Sequence, residues 1–137
     1  RPTAQAMDLF NALKRASIRK NEDNDCAVKA VAIATRQSYN VAHTALAMEG
    51  RTNRRGTYPR QTKMATLALG FMTTNRYSYR DEGAEGFTLK TVAKRYPRGT
   101  FYVHVRGHIL ALVDGEILDW TAGSSRKVLA VNEVSPA

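Results

Sequence analysis

The chain contains a single cysteine, Cys26, and the residues around it predict a reactive thiol. Asn24 and Asp25 stand just before it, and the short side-chain oxygen of either residue can accept a free N–H of a first helical turn. Behind Cys26, small or apolar residues recur at the spacing of one helical face, namely Val28, Val31, Ala32 and Thr35. The positive end of a helix dipole favours the nucleophilic thiolate. The alternative is an inert, buried thiol.

The C-terminal third predicts an antiparallel meander with strands at residues 100–105, 108–113 and 116–120. Arg106-Gly107 and Asp114-Gly115 separate these runs, and an Asp-Gly pair between apolar runs is a strong signal for a two-residue hairpin turn. Since helical patterns precede the strands, the sequence predicts an α+β domain whose sheet packs on the helices.

The register of this meander selects one of the three histidines. A two-residue turn at Asp114-Gly115 pairs His108 with Thr121, so Asp119 becomes a diagonal neighbour of His108 on the same sheet face. The same rule, applied to the preceding turn, puts His104 on the opposite face. His108 is therefore the histidine with a carboxylate beside it.

Cys26, His108 and Asp119 together predict a nucleophilic site. A carboxylate bonded to an imidazole fixes its tautomer and stabilises its charged form, and the imidazole then serves as the base for the thiol. The alternative for His108 and Asp119 is a polar pair at the end of a strand. The chain has a single cysteine, so the Cys-x-x-Cys spacing of structural zinc sites is absent, and no metal or other cofactor is expected.

The net charge of +9 favours acidic partners, of which nucleic acid is the commonest. The loop at 51–58 brings Arg51, Arg54 and Arg55 close to the aromatic Tyr58. Arginines bind phosphate and an aromatic ring can stack on a base, so these four residues are candidate phosphate or nucleic-acid ligands. The alternative is a solvated basic loop.

The 137 residues are expected to form one domain with its own core. Its parts are a helix within 1–20, a mainly helical part at 21–98 that includes the Cys26 helix, and the sheet at 99–137. No run of about 20 apolar residues is present, so no membrane partner is expected. The sequence predicts no particular oligomeric state.

Four details follow from the periodicity. Thr3 can cap the first helix, whose apolar face consists of Ala6, Leu9, Phe10 and Leu13. Residues 71–79 alternate weakly, which is typical of an edge strand. A helix is expected to begin after Thr88, with a buried side of Leu89, Val92, Ala93 and Tyr96. His43 lies on the helix that follows the Cys26 helix and is expected to be a surface or packing residue without a partner.

Three stretches carry a resemblance to known proteins, namely NDCAVKAVAIAT, GRTNRRGT and GHILALVDGEILDW. With Cys26, His108 and Asp119 in this chain order, the sequence resembles the papain-like cysteine peptidase superfamily. It is more closely similar to small uncharacterised phage and bacterial proteins that share these stretches. The resemblance implies a papain-like fold, in which the cysteine opens a central helix and the histidine starts a strand. It also implies peptidase, deamidase or transferase chemistry.

The resemblance further implies an amide that binds the oxyanion. Papain-like enzymes usually have a glutamine six positions before the cysteine, where this chain has Lys20. Asn21 and Asn24 are the available substitutes, and Asn21 is expected to be the better placed.

Two functions are weighed on this basis. The first is a cysteine-dependent hydrolase or acyl transferase that acts on an amide or ester bond of a peptide or protein. The alternative is a catalytically weak or inactive binding module of phage origin, a virion or host-takeover component whose basic surface binds nucleic acid. Since no apolar core follows the basic first residue, a signal peptide is not expected, and the expected location is the host cytoplasm or the virion.

Overall fold

The computed structural model describes residues 4–137, apart from the side chains of residues 5–7. Its helices are α1 (Ala4–Arg19), α2 (Cys26–Thr35), α3 (Tyr39–Met48), α4 (Pro59–Ala68) and the single turn α5 (Val92–Arg95). Its strands are β1 (Phe71–Ser78), β2 (Thr100–Val105), β3 (His108–Val113), β4 (Glu116–Ile117) and β5 (Ala130–Pro136). The predicted Thr3 cap and the side chain of Ala6 lie outside the described residues.

The five strands form one antiparallel sheet in the order β1-β5-β2-β3-β4, which confirms the α+β class. The predicted edge strand is confirmed as β1, which lies at one edge and pairs with β5. The sheet therefore includes a strand from the part at 21–98 as well as the strands of 99–137.

Both predicted hairpins form. In the β2–β3 hairpin, His104 lies opposite Ile109, as the two-residue turn predicts. In the β3–β4 hairpin, Asp114 and Gly115 have φ angles of 48° and 81°, the left-handed values that a tight turn of this type requires. The turn of the β2–β3 hairpin brings the start of β3 next to the end of β2 and so defines one end of the sheet.

Strand β4 is shorter than predicted, because it ends at Ile117 instead of residue 120. The following residues form a turn in which the carboxylate of Asp119 accepts a hydrogen bond from the backbone N–H of Thr121. A carboxylate that binds the backbone two residues further on favours a turn over an extended strand. The predicted pairing of His108 with Thr121 was therefore wrong.

The helix predicted after Thr88 is also shorter, since only the single turn α5 forms. Thr88 forms a bridge with Lys127, and the N–H of Leu89 donates to the carbonyl oxygen of Arg126. These bonds tie Thr88 and Leu89 to residues 126–127, and residues 89–91 form a turn that leads into α5. Leu89 and Val92 are buried against the sheet, so the apolar pattern correctly marked burial but not helix length.

Helix α2 is buried along almost its whole length, with Lys29 the exception behind Cys26. Its alanines leave room for close neighbours, and α3 and α4 pack against it on one side. On the other side it faces Tyr102, Ile109 and Ala111 of the sheet. The opposite sheet face carries a second apolar cluster that α5 covers. Among residues 4–137, no helix is long and apolar enough to cross a membrane.

Candidate active site

Cys26 is the first residue of α2 and is half-buried. Asp25 occupies the N-cap position, as predicted, but its side chain accepts no capping hydrogen bond from a backbone N–H of the helix and pairs instead with Nζ of Lys29 at 3.3 Å. Because Asp25 is buried, its carboxylate is satisfied inside the protein, where it accepts a hydrogen bond of 2.6 Å from the hydroxyl of Tyr39. The amide of Asn24 donates to the carbonyl oxygen of Arg54 at 3.1 Å. The predicted side-chain capping was therefore wrong.

His108 and Asp119 meet beside the start of α2. Nε2 of His108 lies 2.8 Å from Oδ2 of Asp119. The same oxygen accepts hydrogen bonds from the N–H of Thr121 at 3.1 Å and from its hydroxyl at 2.5 Å. The two predicted residues are thus in contact, but Asp119 reaches His108 from the turn after β4 and not from a paired strand.

The imidazole of His108 is also hydrogen-bonded to the thiol of Cys26. Since Nε2 faces Asp119, Nδ1 is the nitrogen that remains for the sulfur. The hydrogen bond with Asp119, and after it the one with Cys26, outweighs the effect of burial and raises the pKa of His108 to about 9. A histidine with this pKa is cationic near neutral pH.

Opposing effects act on the thiol. Burial alone raises the pKa of Cys26, but the hydrogen bond with His108 and the N–H of Ile109 outweigh it, so the pKa lies below its ordinary value. A lowered thiol pKa and a raised imidazole pKa favour the same state, which is a thiolate paired with an imidazolium. This pair is the activated form of a cysteine nucleophile.

The sulfur lies in a cleft of about 370 Å³ at the end of the sheet. Asn24, together with residues 56–57 of the loop before α4, forms one part of its lining. Gly107 and His108 from the β2–β3 hairpin form another part. A carbonyl group that entered this cleft would meet the thiol and the imidazole together.

His104 borders the same cleft, although its register set it on the opposite sheet face from His108. Its neighbour Ile109 packs against the helices around α2, and this is the face on which Cys26 lies. The pairing with Ile109 was therefore the signal that could have assigned His104 to the cleft. Burial lowers the pKa of His104, which keeps its imidazole neutral near about pH 7.

The expectation that Asn21 is the better-placed amide was wrong. Asn24 borders the cleft, and Asn21 is not among the described residues that do. Asn21 and Asn24 have φ angles of 53° and 50°, so the loop makes two left-handed turns between α1 and α2. As a result, Oδ1 of Asn21 accepts a hydrogen bond from Nη1 of Arg54 at 3.2 Å. Donors at the cleft include the second N–H of the Asn24 amide, the hydroxyl of Thr57 and the first N–H groups of α2.

Arg51 is buried, so its predicted contact with phosphate was wrong. Its Nη1 and Nη2 donate to the two carboxylate oxygens of Glu22 at 2.9 and 3.1 Å. Nε2 of His43 lies 2.5 Å from Oε2 of Glu22, so His43 is buried with a partner, contrary to expectation. A buried guanidinium requires such a carboxylate, because an unpaired buried charge is very costly.

Glu22 connects the two loops that border the cleft. Oε1 of Glu22 accepts a hydrogen bond of 2.7 Å from the backbone N–H of Arg54. Burial raises the pKa of Glu22, but the hydrogen bonds from Arg51, Arg54 and His43 outweigh it and lower the pKa to about 2. The carboxylate therefore stays ionised and holds the arginine loop against the loop before α2.

The other three loop candidates lie nearer the surface. The side chain of Arg54 is 52% exposed, and its Nη1 donates to the carbonyl oxygen of Asn21 at 2.9 Å. Arg55 and Tyr58 are exposed, and neither side chain forms an ion pair or a hydrogen bond with another side chain in the described part of the chain. Phosphate binding stays a prediction for Arg55 and Tyr58, while Arg54 chiefly ties its loop to Asn21.

Within the described residues, no three His, Cys, Asp or Glu side chains are grouped so that they could hold a metal ion. Comparisons with protein-family models, curated proteins and solved structures found no match for this chain. Function is therefore inferred from the chemistry of the site, since fold alone does not define it.

Proposed function

We propose that the protein is a cysteine-dependent hydrolase or acyl transferase that acts on an amide or ester bond, with a peptide or protein as its substrate. One observation carries the proposal, which is that His108 bonds both to the thiol of Cys26 and to the carboxylate of Asp119. If His108 and Asp119 were only a structural polar pair at a strand end, the pair would not require a thiol beside it. Cys26 and His108 also border one cleft, and Asp119 is buried behind His108.

The reaction would begin with attack of the Cys26 thiolate on the substrate carbonyl carbon. A C–S bond forms, and the carbonyl electron pair moves to the oxygen, where the N–H of Cys26 and the amide of Asn24 stabilise it. Nδ1–H of His108 donates its proton to the leaving amine or alcohol as the bond to carbon breaks. This step leaves a thioester and a neutral imidazole.

The second half returns the enzyme to its starting state. His108 takes a proton from an incoming water, which attacks the thioester and releases the acid and the thiolate. An amine in place of water gives acyl transfer through the same steps. Asp119 orients the imidazole and stabilises its cation throughout, without being protonated itself.

The arrangement also supports a papain-like relationship. The chain has the α+β architecture, a cysteine that opens a buried helix and a histidine at the start of a strand. Two features depart from the family pattern, because Asp119 lies in a turn and Lys20 occupies the position of the family's glutamine, six residues before Cys26. Both departures concern groups that support the thiol and not the thiol itself.

Alkylation with iodoacetamide tests the proposal, because Cys26 is the sole cysteine and every labelled molecule reports it. We expect Cys26 to react at least about 10-fold faster than N-acetylcysteine near pH 6.5, where an ordinary thiol is almost fully protonated. His108→Gln should raise the thiol pKa toward its ordinary value and remove this advantage. Equal rates for Cys26 and N-acetylcysteine would reject the nucleophile and favour the binding module.

A further inference from the structure

The cleft at Cys26 continues into a second depression of about 280 Å³. Both parts share Pro59, Thr62 and His104, so together they form one groove. The second part lies between α4 and the sheet, and its floor includes Asn75 and Asn132. The groove therefore runs from the thiol across the sheet, beneath the first two turns of α4.

The second part of the groove is basic. Arg60 and Lys63 border it, and their spacing of three residues puts them on the same side of α4. Both are exposed, and in the described residues neither side chain forms an ion pair or a hydrogen bond. No Asp or Glu borders either part of the groove. Glu49 adjoins Arg60 across a separate depression and forms no ion pair with it.

The floor beneath these cations is polar but neutral. Nδ2 of Asn75 donates to Oδ1 of Asn132 at 3.1 Å, across the pairing of β1 with β5. Tyr102 and Thr73 complete this side of the groove. An anion that entered here would meet two free cations and hydrogen-bonding groups, with no carboxylate to repel it.

The sheet gives the distance between the thiol and the basic part. His108 is on β3 and Asn75 is on β1, and three strand-to-strand steps separate them in the order β3-β2-β5-β1. At about 4.8 Å per step, this is about 14 Å across the sheet. The strand registers also place Asn75 level with Ala111, three residues or about 10 Å along β3 from His108. The direct distance is therefore about 17 Å, which corresponds to about five residues of an extended peptide at about 3.3 Å per residue.

We propose that the groove selects peptides with an acidic side chain four or five residues from the bond attacked by Cys26, through Arg60 and Lys63. This inference deepens the proposed function and rests on it. The ligand chemistry is an anionic group, and we assign a carboxylate because the substrate proposed above is an unmodified peptide.

The experiment uses peptides that carry their own alkylating group and react with Cys26. One series has an N-terminal iodoacetyl group and the other a C-terminal chloromethyl ketone, so the two series extend in opposite directions from the sulfur. Each series places Glu, Gln or phosphoserine at the fourth or fifth residue within an otherwise Gly/Ala peptide. Iodoacetamide is measured in parallel, and it reports thiol reactivity without any groove contact.

In one series, we expect the Glu peptide to alkylate Cys26 about 3-fold to 10-fold faster than the Gln peptide, since exposed charge contacts are individually modest. The preference should disappear in the Arg60→Gln/Lys63→Gln variant and shrink at about 0.5 M salt. Lys90→Gln/Arg98→Gln is the matched control, because it removes the same charge from exposed residues that border neither part of the groove. This control should keep the preference.

The outcomes separate the two proposals. Slow iodoacetamide alkylation would reject the proposed function and, with it, the groove. Fast iodoacetamide alkylation with equal Glu and Gln rates in both series would overturn the groove alone. A Glu preference that survives in Arg60→Gln/Lys63→Gln would also overturn the proposed selection by the groove. A preference for phosphoserine without a preference for Glu would show that the recognised anion is a phosphate and not a carboxylate. Single variants and circular dichroism identify any folding defect of the double variant.

Discussion

The hydroxyl of Thr121 donates to Oδ2 of Asp119 at 2.5 Å, and this is the same oxygen that bonds to His108. Thr121 is almost fully buried, so its hydroxyl has a fixed position. The turn after β4 therefore orients the carboxylate before any substrate binds. Such a preorganised partner allows Asp119 to hold His108 in one tautomer.

Asp119→Asn should weaken the site without destroying it. The amide keeps nearly the same shape but removes the negative charge that stabilises the imidazolium, so the pKa of His108 falls and that of Cys26 rises. We expect a loss of about 10-fold to 100-fold in alkylation near pH 6.5, which corresponds to about 1.4 to 2.7 kcal/mol. The measurement is the iodoacetamide rate against pH.

Asp119→Ala should lose more, because His108 is then unanchored. Thr121→Val removes only the hydroxyl bond to Asp119 and should give a smaller loss than either variant. Superimposed pH profiles for wild type, Asp119→Asn and Asp119→Ala would exclude Asp119 from the site.

Asn24→Asp should impair hydrolysis more than alkylation, which the new carboxylate slows only by raising the thiol pKa. Only hydrolysis develops an oxyanion, and the substitution replaces an amide donor with a carboxylate at a position that tolerates the left-handed φ of 50°. Loss of one oxyanion donor costs about 10²-fold to 10³-fold in kcat. The assay is cleavage of p-nitrophenyl acetate beside iodoacetamide labelling.

Asn21→Asp is the matched control for Asn24→Asp, because Asn21 lies in the same loop with a φ of 53° but not at the cleft. Ester cleavage by this control should stay close to that of the wild type. Equal losses in the two variants would mean that Asn24 supports the loop and not the oxyanion.

Glu22→Gln should strongly destabilise the fold. It leaves the buried guanidinium of Arg51 without its charge partner, and breaking a buried pair in this way costs about 3 to 5 kcal/mol. Asp23→Asn is the control, because the Asp23 side chain is 66% exposed and lies 3.9 Å from Arg54. The control should change the free energy of unfolding by less than about 1 kcal/mol, measured by urea denaturation.

The lowered pKa of Glu22 also predicts how the free energy of unfolding depends on pH. Its pKa is lowered from 4.5 to about 2 on folding, so its contribution is complete above pH 4.5 and is lost as the pH falls toward 2. The shift corresponds to about 3 kcal/mol of unfolding free energy. We expect the wild type to lose this contribution at acidic pH. The difference in the free energy of unfolding between the wild type and Glu22→Gln should therefore narrow as the pH falls. A constant difference between pH 6 and pH 2 would contradict it.

A buried hydroxyl pair between α4 and the sheet offers a separate test. Oγ1 of Thr66 lies 2.7 Å from the hydroxyl of Tyr102 and donates to the carbonyl oxygen of Thr62, so Tyr102 is the donor within the pair. Thr66→Val leaves the buried Tyr102 hydroxyl without a hydrogen-bond partner and should lower the free energy of unfolding by about 2 kcal/mol. Tyr102→Phe should lower it by about 1 kcal/mol.

The double variant should cost about 1 kcal/mol less than the sum of the two single variants, because the stranded hydroxyl is then absent. Tyr77→Phe is the control, since the Tyr77 hydroxyl forms no hydrogen bond with the described residues, and it should leave the free energy of unfolding nearly unchanged. Strict additivity of Thr66→Val and Tyr102→Phe in urea denaturation would contradict the bond.

The sequence by itself determined the features that depend on neighbours along the chain. The periodicity behind Cys26 predicted α2, and the Asp114-Gly115 turn predicted the register of β3 and β4. The same predicted register led us to expect the contact between Asp119 and His108, although Asp119 makes it from the turn after β4. Each of these features follows from residue types within a few positions, because helix periodicity and tight turns are local properties.

Only the tertiary structure decided which buried polar groups became partners. Asp25 bonds to the hydroxyl of Tyr39 and caps no backbone N–H of its own helix, and Arg51 is buried against Glu22. Asn24 reaches the cleft where Asn21 does not. A buried charge or amide binds whichever partner the fold buries beside it, and these partners come from other elements. The side chains around the thiol could therefore be assigned only after the helices and the sheet had packed.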